Sequence, residues 1–263
     1  MMSTESTTTS SSDQIPDNAL GNEGKGEDGE VFVRAVRHMA DRRNLVVWEG
    51  EPVECGPALA YAHDSGSLRS EKLRSLRTEL LMRLGTRNGA ATFAILGTRP
   101  SEGRSQLCAE LALAFAQLAG RTLLVDANMR NPKLDRLFIG ARADAGLSEL
   151  LMGKSNTMPL HRVVGPQNLA LLTAGTPPPN PVDLLSGAQF NRLVADWSRT
   201  YDYVLIDTPP VAHYSDGIVI ANAVRNVVLV TRRNHTSYAD VTELQRRLDA
   251  TQTQIVGAVI NDF

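Results

Sequence analysis

The feature that most constrains the fold of this chain lies at residues 92–106, where a short apolar run breaks into a polar turn and then into a helical pattern. Residues 93–96 are apolar, Gly97 interrupts them, and apolar side chains recur at helical spacing after Ser105. This order predicts a strand, a loop and a helix. A loop that leads into a helix directs unpaired backbone N–H groups and the positive end of the helix dipole at one point. We therefore predict that a phosphate group binds at this loop.

The loop matches the phosphate-binding pattern G-x-x-x-x-G-K-[ST] only in part. Gly103 and Ser105 stand at the last glycine and the hydroxyl position, but Thr98 replaces the first glycine and Arg104 replaces the lysine. Arginine keeps a permanent charge that can contact phosphate, although its planar fork is bulkier than an ammonium group. Taken alone, the loop leaves nucleotide binding and an ordinary surface turn open.

The composition argues against several classes of function. Lys plus Arg number 27 and Asp plus Glu number 29, for a formal net charge of -2, which does not favour nucleic acid as a partner. No uncharged apolar run approaches membrane-spanning length and no signal-peptide pattern opens the chain, so we expect a cytoplasmic protein. Cys55 and Cys108 are far apart, which fits a reducing compartment and gives no indication of a zinc site.

Changes in composition divide the chain into three parts. Residues 1–29 are rich in Ser, Thr, Gly and acids and poor in large apolar side chains, which predicts a disordered leader. Residues 30–69 are predicted to form an N-terminal extension, with a short basic amphipathic helix followed by a strand at residues 45–48. Residues 70–263 are predicted to form the main domain.

Two further apolar strands each end in an aspartate. Residues 122–125 precede Asp126 and residues 203–206 precede Asp207, and polar turn residues follow each aspartate. Because the carboxyl ends of parallel strands meet at one edge of a sheet, we expect both side chains near the loop at residues 100–105. Carboxylates at such a place suit Mg²⁺, whereas a helix cap or a turn is the ordinary role of either aspartate taken singly.

The rest of the main domain alternates between strand and helix patterns. Strands are predicted at residues 168–173, 227–231 and 255–260, and helices at residues 183–198 and 239–248. Short links between alternating elements imply a mostly parallel sheet with right-handed crossovers and helices on both faces. The predicted fold class is therefore a three-layer, P-loop NTPase-like α/β domain.

Ahead of the loop, residues 71–82 predict an amphipathic helix. Glu71, Arg74 and Arg77 follow one another at three-residue steps and fall along one side of it. Spacing alone leaves two interpretations open: surface ion pairs within the chain, or an arginine row that meets a carboxylate of another subunit.

From about Ser70 to Phe263 the sequence resembles the bacterial tyrosine kinases of polysaccharide export, most closely the chain-length-determinant kinases encoded with exopolysaccharide operons. The resemblance lies in residues 102–105 for Walker A, in residues 123–132 around Asp126 for the Walker A′ motif, and in residues 205–209 around Asp207 for Walker B. Residues 174–181, the Glu71 helix and the ending at residues 259–263 add to it.

The resemblance implies that Mg²⁺ and ATP are the cofactors. It assigns Ser105, Asp126 and Asp207 to the metal, and it makes Asp126 the group that activates a tyrosine hydroxyl, with Arg104 and Arg130 in the catalytic set. The implied cofactor-binding residues are those of the loop: Pro100, Ser101, Glu102, Gly103, Arg104, Ser105 and Gln106.

The resemblance also implies partners. In such kinases the Glu-x-x-Arg-x-x-Arg helix docks subunits into a ring, which predicts a homo-oligomer through Glu71, Arg74 and Arg77. Larger members carry a membrane part in the same chain, so we expect here a separate membrane polysaccharide co-polymerase, with this protein at the inner face of the membrane.

Three departures from the family pattern keep other functions open. Asn128 stands where the A′ motif usually has a second acid, Ser101 stands where glycine is frequent, and no tyrosine cluster precedes Phe263. We therefore expect the phosphoacceptor elsewhere in the chain or on another protein. The alternatives are a catalytically weak nucleotide-binding scaffold and a partitioning-type ATPase, and the A′ motif and the Glu71 helix argue against the latter.

Overall fold

The computed structural model describes residues 46–59, 61, 64, 66–84, 90–142, 144–155, 157–166 and 168–262. The predicted leader and the predicted basic helix lie outside these residues. Within the described ranges, no helix has both the length and the apolarity that crossing a membrane requires.

Strands and helices alternate along most of the described chain. The strands are β1 (Val46–Cys55), β2 (Ala91–Gly97), β3 (Thr122–Asp126), β4 (Phe138–Ile139), β5 (Thr157–Val163), β6 (Leu169–Leu172), β7 (Tyr203–Asp207), β8 (Asn226–Arg232) and β9 (Gln254–Asn261). The helices are α1 (Leu68–Leu84), α2 (Arg104–Ala116), α3 (Leu134–Leu137), α4 (Leu147–Leu151), α5 (Pro181–Ser186), α6 (Ala188–Thr200), α7 (Asp216–Val224) and α8 (Tyr238–Asp249).

The described strands form one sheet in the order β4-β1-β5-β6-β3-β7-β2-β8-β9. Every neighbouring pair from β6 to β9 is parallel, whereas β5 is antiparallel to β6 and β4 is antiparallel to β1. The predicted mostly parallel sheet is thus confirmed. β1 pairs with β5 inside this sheet, and the division of the chain at residue 70 stays a prediction.

Apolar clusters cover both faces of the sheet. One face packs against α1 and α2, where the Phe115 ring of α2 lies 5.7 Å from the Phe93 ring and 4.8 Å from the Tyr203 ring, between centroids. The opposite face packs against α4 to α8, and Phe190 and Trp197 of α6 are completely buried there. Helices on both faces confirm the predicted three-layer architecture.

Some elements differ from the sequence-based prediction. β1 continues to Cys55 although the prediction ended at residue 48, because glutamates and a proline give that stretch the composition of a loop. β5 was not predicted, since Pro159 lacks an N–H donor and usually argues against an interior strand. α7 was not predicted either, because its nearly continuous apolar run shows no helical period.

The predicted helix at residues 71–82 is α1, and its polar row makes contacts within the chain. Arg74 pairs with Glu71 one turn away at 2.5 Å, and Nη1 of Arg77 donates to the carbonyl of Ala114 in α2 at 2.6 Å. Glu71 and Arg74 therefore form an ion pair within the chain, which is the first of the two interpretations of this row. The role of the row in an oligomer stays a prediction.

The packing of Phe115 gives a test of the fold. Phe115→Ala removes a completely buried ring that contacts two others, so we expect the free energy of unfolding to fall by about 3–5 kcal/mol in urea titrations. Met82→Ala on α1 is the control: Met82 is 76% exposed, and we expect a change within about 0.5 kcal/mol. Equal stability of Phe115→Ala and the parent chain would contradict this packing.

Candidate functional site

The candidate site lies where three parallel strands end side by side. Asp126 of β3 is in register with Asp207 of β7, and Asp207 is in register with Ile95 of β2. Because adjacent strands lie about 4.8 Å apart, the two aspartates are direct neighbours. The phosphate loop leaves β2 at the same edge of the sheet and enters α2 at Arg104. The structure thus places the loop and both aspartates together, as the sequence predicts.

The loop has a strained backbone. Gly103 has a φ of 85°, which costs glycine little, but Ser101 has a φ of 62°, a left-handed conformation that an L-residue with a Cβ atom disfavours. This φ is consistent with the glycine that is frequent at this position in the family pattern. Residues held in this way are often found at ligand-binding loops, where the surrounding structure compensates for the cost.

Side chains from β8, from the β8–α8 connection and from β9 bind the loop from outside. The carbonyl oxygens of three successive loop residues accept hydrogen bonds in the pairs Pro100–His235 (3.0 Å), Ser101–Arg232 (3.3 Å) and Glu102–Asn261 (2.7 Å). The first amides of α2 have no intrahelical acceptors. Side chains thus bind the carbonyl groups of the loop, whereas the first amides of α2 suit an anion.

Arg104 is largely buried at the start of α2, with 7% of its surface exposed. Its Nη1 donates to the carbonyl of Arg99 at 2.7 Å, and its Nε donates to the carbonyl of Thr208 at 3.3 Å. Burial lowers the pKa of the Arg104 guanidinium, and the negative charges of Asp207 and Glu102 oppose that shift. The side chain provides a fixed positive charge beside the carboxylates.

Asp207 is completely buried, and within the described part of the chain neither of its carboxylate oxygens has a hydrogen-bond partner. Burial raises the pKa of Asp207 to about 6, although the neighbouring Ser105 hydroxyl and the charge of Arg104 act in the opposite direction. The Ser105 hydroxyl thus lies near the carboxylate without completing a hydrogen bond of ordinary geometry. A buried carboxylate that lacks hydrogen bonds is costly unless a proton or a cation joins it. The surroundings of Asp207 therefore suit a cation.

Asp126 is also completely buried, but the turn that follows β3 wraps around it. Its Oδ1 accepts from the amide of Asn128 at 3.0 Å, and its Oδ2 accepts from the amides of Lys133 at 3.1 Å and Leu134 at 3.0 Å. Burial first, and the charge of Asp207 second, raise the pKa of Asp126 to about 8 against the effect of these amides. The two carboxylates compete for one proton when no cation is present.

The donor set at this edge fits Mg²⁺. Two carboxylates and the Ser105 hydroxyl supply the hard oxygen atoms that this ion prefers, and the orphaned oxygens of Asp207 give it a place. Ser105 is the second residue of α2, which sets its hydroxyl beside Asp207. The three residues predicted for the metal are therefore brought together.

Three other residues named in the sequence analysis have side chains that bind groups other than Asp126 and Asp207. Nε of Arg130 donates to Asp216 at 3.0 Å, and the guanidinium lies 4.3 Å from the centre of the Tyr214 ring. The side chain of Gln106 donates to the carbonyl of Ala58 at 3.0 Å. Nδ2 of Asn128 donates to the carbonyl of Asn131 at 2.9 Å, so this amide closes a turn.

Three residues of the site received no role of their own in the sequence analysis. Thr208 is completely buried, donates to the carbonyl of Ile95 at 2.7 Å and accepts from Arg104 through its own carbonyl. Its signal was its place directly after Asp207. Asn261 belongs to an ending that counted toward the resemblance without a role, and Thr236 leaves no signal because it lies more than a hundred residues from the loop it contacts.

No family model matches the chain, but individual proteins do. The chain is 31% identical over 195 residues to the tyrosine-protein kinase YwqD of Bacillus subtilis. The matched region covers 74% of this chain and 81% of YwqD. The chain is also 32% identical over 240 residues to the tyrosine-protein kinase wzc of Salmonella typhimurium. That matched region covers 91% of this chain and 31% of wzc.

Solved structures give the same result. The kinase domain of the Escherichia coli tyrosine kinase ETK superposes with a TM-score of 0.71 at 27% identity, over 78% of this chain and 79% of that one. The septum site-determining protein MinD of Pyrococcus horikoshii, solved with Mg-ADP, shares only the fold, with a TM-score of 0.52 at 17% identity over 65% of this chain and 69% of that one. Because the likeness to YwqD extends over most of both proteins, this chain belongs to the bacterial tyrosine kinase family.

Proposed function

We propose that this chain is an ATP-dependent protein-tyrosine kinase that regulates exopolysaccharide chain length and export together with a separate membrane co-polymerase. The observation that carries the proposal is the pair of buried carboxylates beside the phosphate loop. Asp207 has both oxygens without partners among the described residues, and Asp126 is its neighbour in register. Mg²⁺ bound together with a nucleotide would satisfy this pair.

In the proposed complex, the loop at residues 100–106 and the first amides of α2 hold the phosphates of ATP. Ser105 and Asp207 hold Mg²⁺, and Arg104 supplies a second positive charge. When bound, the nucleotide would supply the phosphoryl group and Mg²⁺ would neutralise charge on it. The likeness of the fold to MinD, which was solved with Mg-ADP, supports this choice of ligand.

Asp126 takes the role of the base that accepts the proton of a tyrosine hydroxyl. A phenol has a pKa of about 10 and needs such an acceptor. Burial raises the pKa of Asp126, to about 8 without a cation, and Mg²⁺ bound nearby would lower that pKa so that the carboxylate can accept a proton at neutral pH. Three backbone amides hold that carboxylate in one orientation, which keeps the base in place.

The partner and the location follow from the family. The likeness covers 81% of YwqD and 31% of the longer wzc. The proposed partner is a membrane co-polymerase in a separate chain. ATP is a cytoplasmic metabolite, so we place the kinase in the cytoplasm, at the inner face of the membrane when its partner is bound. The proposal keeps Glu71, Arg74 and Arg77 as a contact surface between copies.

A nucleotide-binding scaffold without transfer activity is the second candidate. Two hydrogen bonds favour it: Arg130 donates to Asp216, and Asn128 donates to the carbonyl of Asn131. Neither side chain is therefore directed at Asp126 or Asp207. A partitioning-type ATPase is the third candidate, and it shares only its fold with this chain.

A labelling experiment separates the three candidates. The purified full chain is incubated with γ-labelled ATP, Mg²⁺ and a random Glu/Tyr copolymer, and label on tyrosine supports the kinase. Free labelled phosphate without labelled protein supports the ATPase. Nucleotide binding without either product supports the scaffold.

Asp126→Asn tests the proposed base in the same assay. We expect tyrosine labelling to fall by about 100-fold or more, because general base catalysis contributes about 100- to 10,000-fold. Mg-ATP affinity should change far less. Asp249→Asn at the exposed end of α8 is the matched control and should label like the parent chain. Parent-level labelling by Asp126→Asn would remove Asp126 from this role.

Asp207→Asn tests how the carboxyl groups of Asp126 and Asp207 affect stability. Folding raises the pKa values of Asp207 to about 6 and of Asp126 to about 8, so the folded state binds these protons more tightly than the unfolded chain. Stability from these groups is therefore present at acid pH and falls as pH rises through both values. Removing one charge should raise the free energy of unfolding by about 1–3 kcal/mol near pH 8.

Thermal unfolding at several pH values, with and without Mg-ATP, measures this effect. The gain in stability should shrink toward about pH 5, where the carboxyl groups of the parent chain hold protons. Asp207→Asn should also lose the stabilisation that Mg-ATP gives to the parent chain. An Asp207→Asn chain that is less stable than the parent near neutral pH would contradict the account.

A further inference from the structure

Glu102 lies in the middle of the phosphate loop, and it is completely buried. Its Oε1 accepts hydrogen bonds from the hydroxyls of Thr98 at 2.8 Å and Thr236 at 2.6 Å. Its Oε2 accepts a hydrogen bond from Nη1 of Arg104 at 3.2 Å. Three donors on one buried carboxylate satisfy its charge and fix its orientation.

The guanidinium of Arg104 is fixed in the same way. Besides Glu102, Nη1 contacts the carbonyl of Arg99, and Nε contacts the carbonyl of Thr208. In the part of the chain that the structure describes, Nη2 has no hydrogen-bond partner. Because the guanidinium is planar, two fixed nitrogens also fix the direction of the third. The protein therefore holds one donor nitrogen ready for a ligand.

The end of β2 is shaped around this ion pair. A Cβ atom at Gly97 would lie 2.4 Å from Oε2 of Glu102 and 2.8 Å from Cδ of Arg104. Separations this short exclude any side chain at position 97 while the pair keeps its arrangement. This steric observation is independent of the hydrogen bonds.

Glu102 also connects the loop to two elements that are distant in sequence. Thr236 lies in the connection between β8 and α8, and Nδ2 of Asn261 at the end of β9 donates to the backbone carbonyl of Glu102 at 2.7 Å. The orientation of Arg104 therefore depends on contacts that reach beyond the loop.

From these contacts we infer that Glu102 is a positioning residue that directs Arg104 at the phosphates of the bound nucleotide. The inference rests on the proposed function, because it takes a nucleotide to be the ligand of the loop. It also explains how arginine can stand at the lysine position of the loop. The ammonium group of a lysine has no plane that must be oriented. The planar guanidinium of an arginine needs hydrogen-bond partners that hold it before one of its nitrogens points at the phosphates.

A double-mutant cycle tests the inference by nucleotide binding, without reference to turnover. Calorimetry gives Mg-ATP dissociation constants for the full chain, Glu102→Gln, Arg104→Lys and the double variant. We expect each single variant to bind about tenfold more weakly and the double variant also about tenfold more weakly, because both changes remove one coupled interaction. Additive losses of about 100-fold, or an unchanged affinity of Glu102→Gln, would overturn the inference.

A matched control distinguishes positioning from loss of a buried acid in general. Glu110 is a second completely buried glutamate of the same region, paired with Arg69 at 2.6 Å. Glu110→Gln should leave Mg-ATP affinity within about twofold and show no coupling to Arg104→Lys. If the parent chain itself does not bind Mg-ATP, the proposed function fails and this inference fails with it. Failure of the cycle in a chain that binds ATP overturns the inference alone.

Variants at Thr236 keep the test valid if Glu102→Gln does not fold. Thr236→Val removes one hydroxyl donor to Glu102 and keeps the shape of the side chain, and we expect affinity to fall about threefold. Thr236→Ser retains the hydroxyl and should bind like the parent chain. Equal affinities of the Val and Ser variants would contradict the positioning role.

Discussion

The neighbouring positions of Asp126 and Asp207 set the main electrostatic constraint on this molecule. Two parallel strands end in register with a buried carboxylate each, and their backbones are only about 4.8 Å apart. Burial raises the pKa values of both groups, and the charge of Asp207 adds to the shift of Asp126. The folded chain therefore carries an unfavourable arrangement that a bound cation would relieve.

The surroundings of the pair limit this cost without removing it. Backbone amides of the turn after β3 bind Asp126, and the charge of Arg104 stabilises Asp207. Arg104 is itself held by Glu102 and by carbonyls of the loop and of Thr208. Strain at Ser101 belongs to the same region. Natural proteins often concentrate strain and like charges where they bind ligands, at the expense of stability.

Local patterns in the sequence encode the strands that end at the site. Short apolar runs ending in Asp126 and Asp207 predicted both strands and their common edge, because parallel strands covered on both faces lack alternation. β5 escaped prediction, since tertiary pairing with β1 and β6 overrides the local effect of Pro159. The contacts of Thr236 and Asn261 with Glu102 join residues far apart in the chain, so no spacing rule could indicate them. The direction of the Arg130 side chain was equally hidden, because it depends on Asp216 in a helix that was not predicted.

The central claim is that the loop at residues 100–106, Arg104 and the aspartate pair form one site for a magnesium–nucleotide complex. Calorimetric titration of the full chain with ATP, in the presence and in the absence of Mg²⁺, tests this claim most directly. The account predicts saturable binding with Mg²⁺ and an affinity at least about tenfold lower without it, because the buried carboxylates then face the phosphates unscreened. No heat of binding with Mg-ATP, or equal affinities in the two titrations, would contradict it.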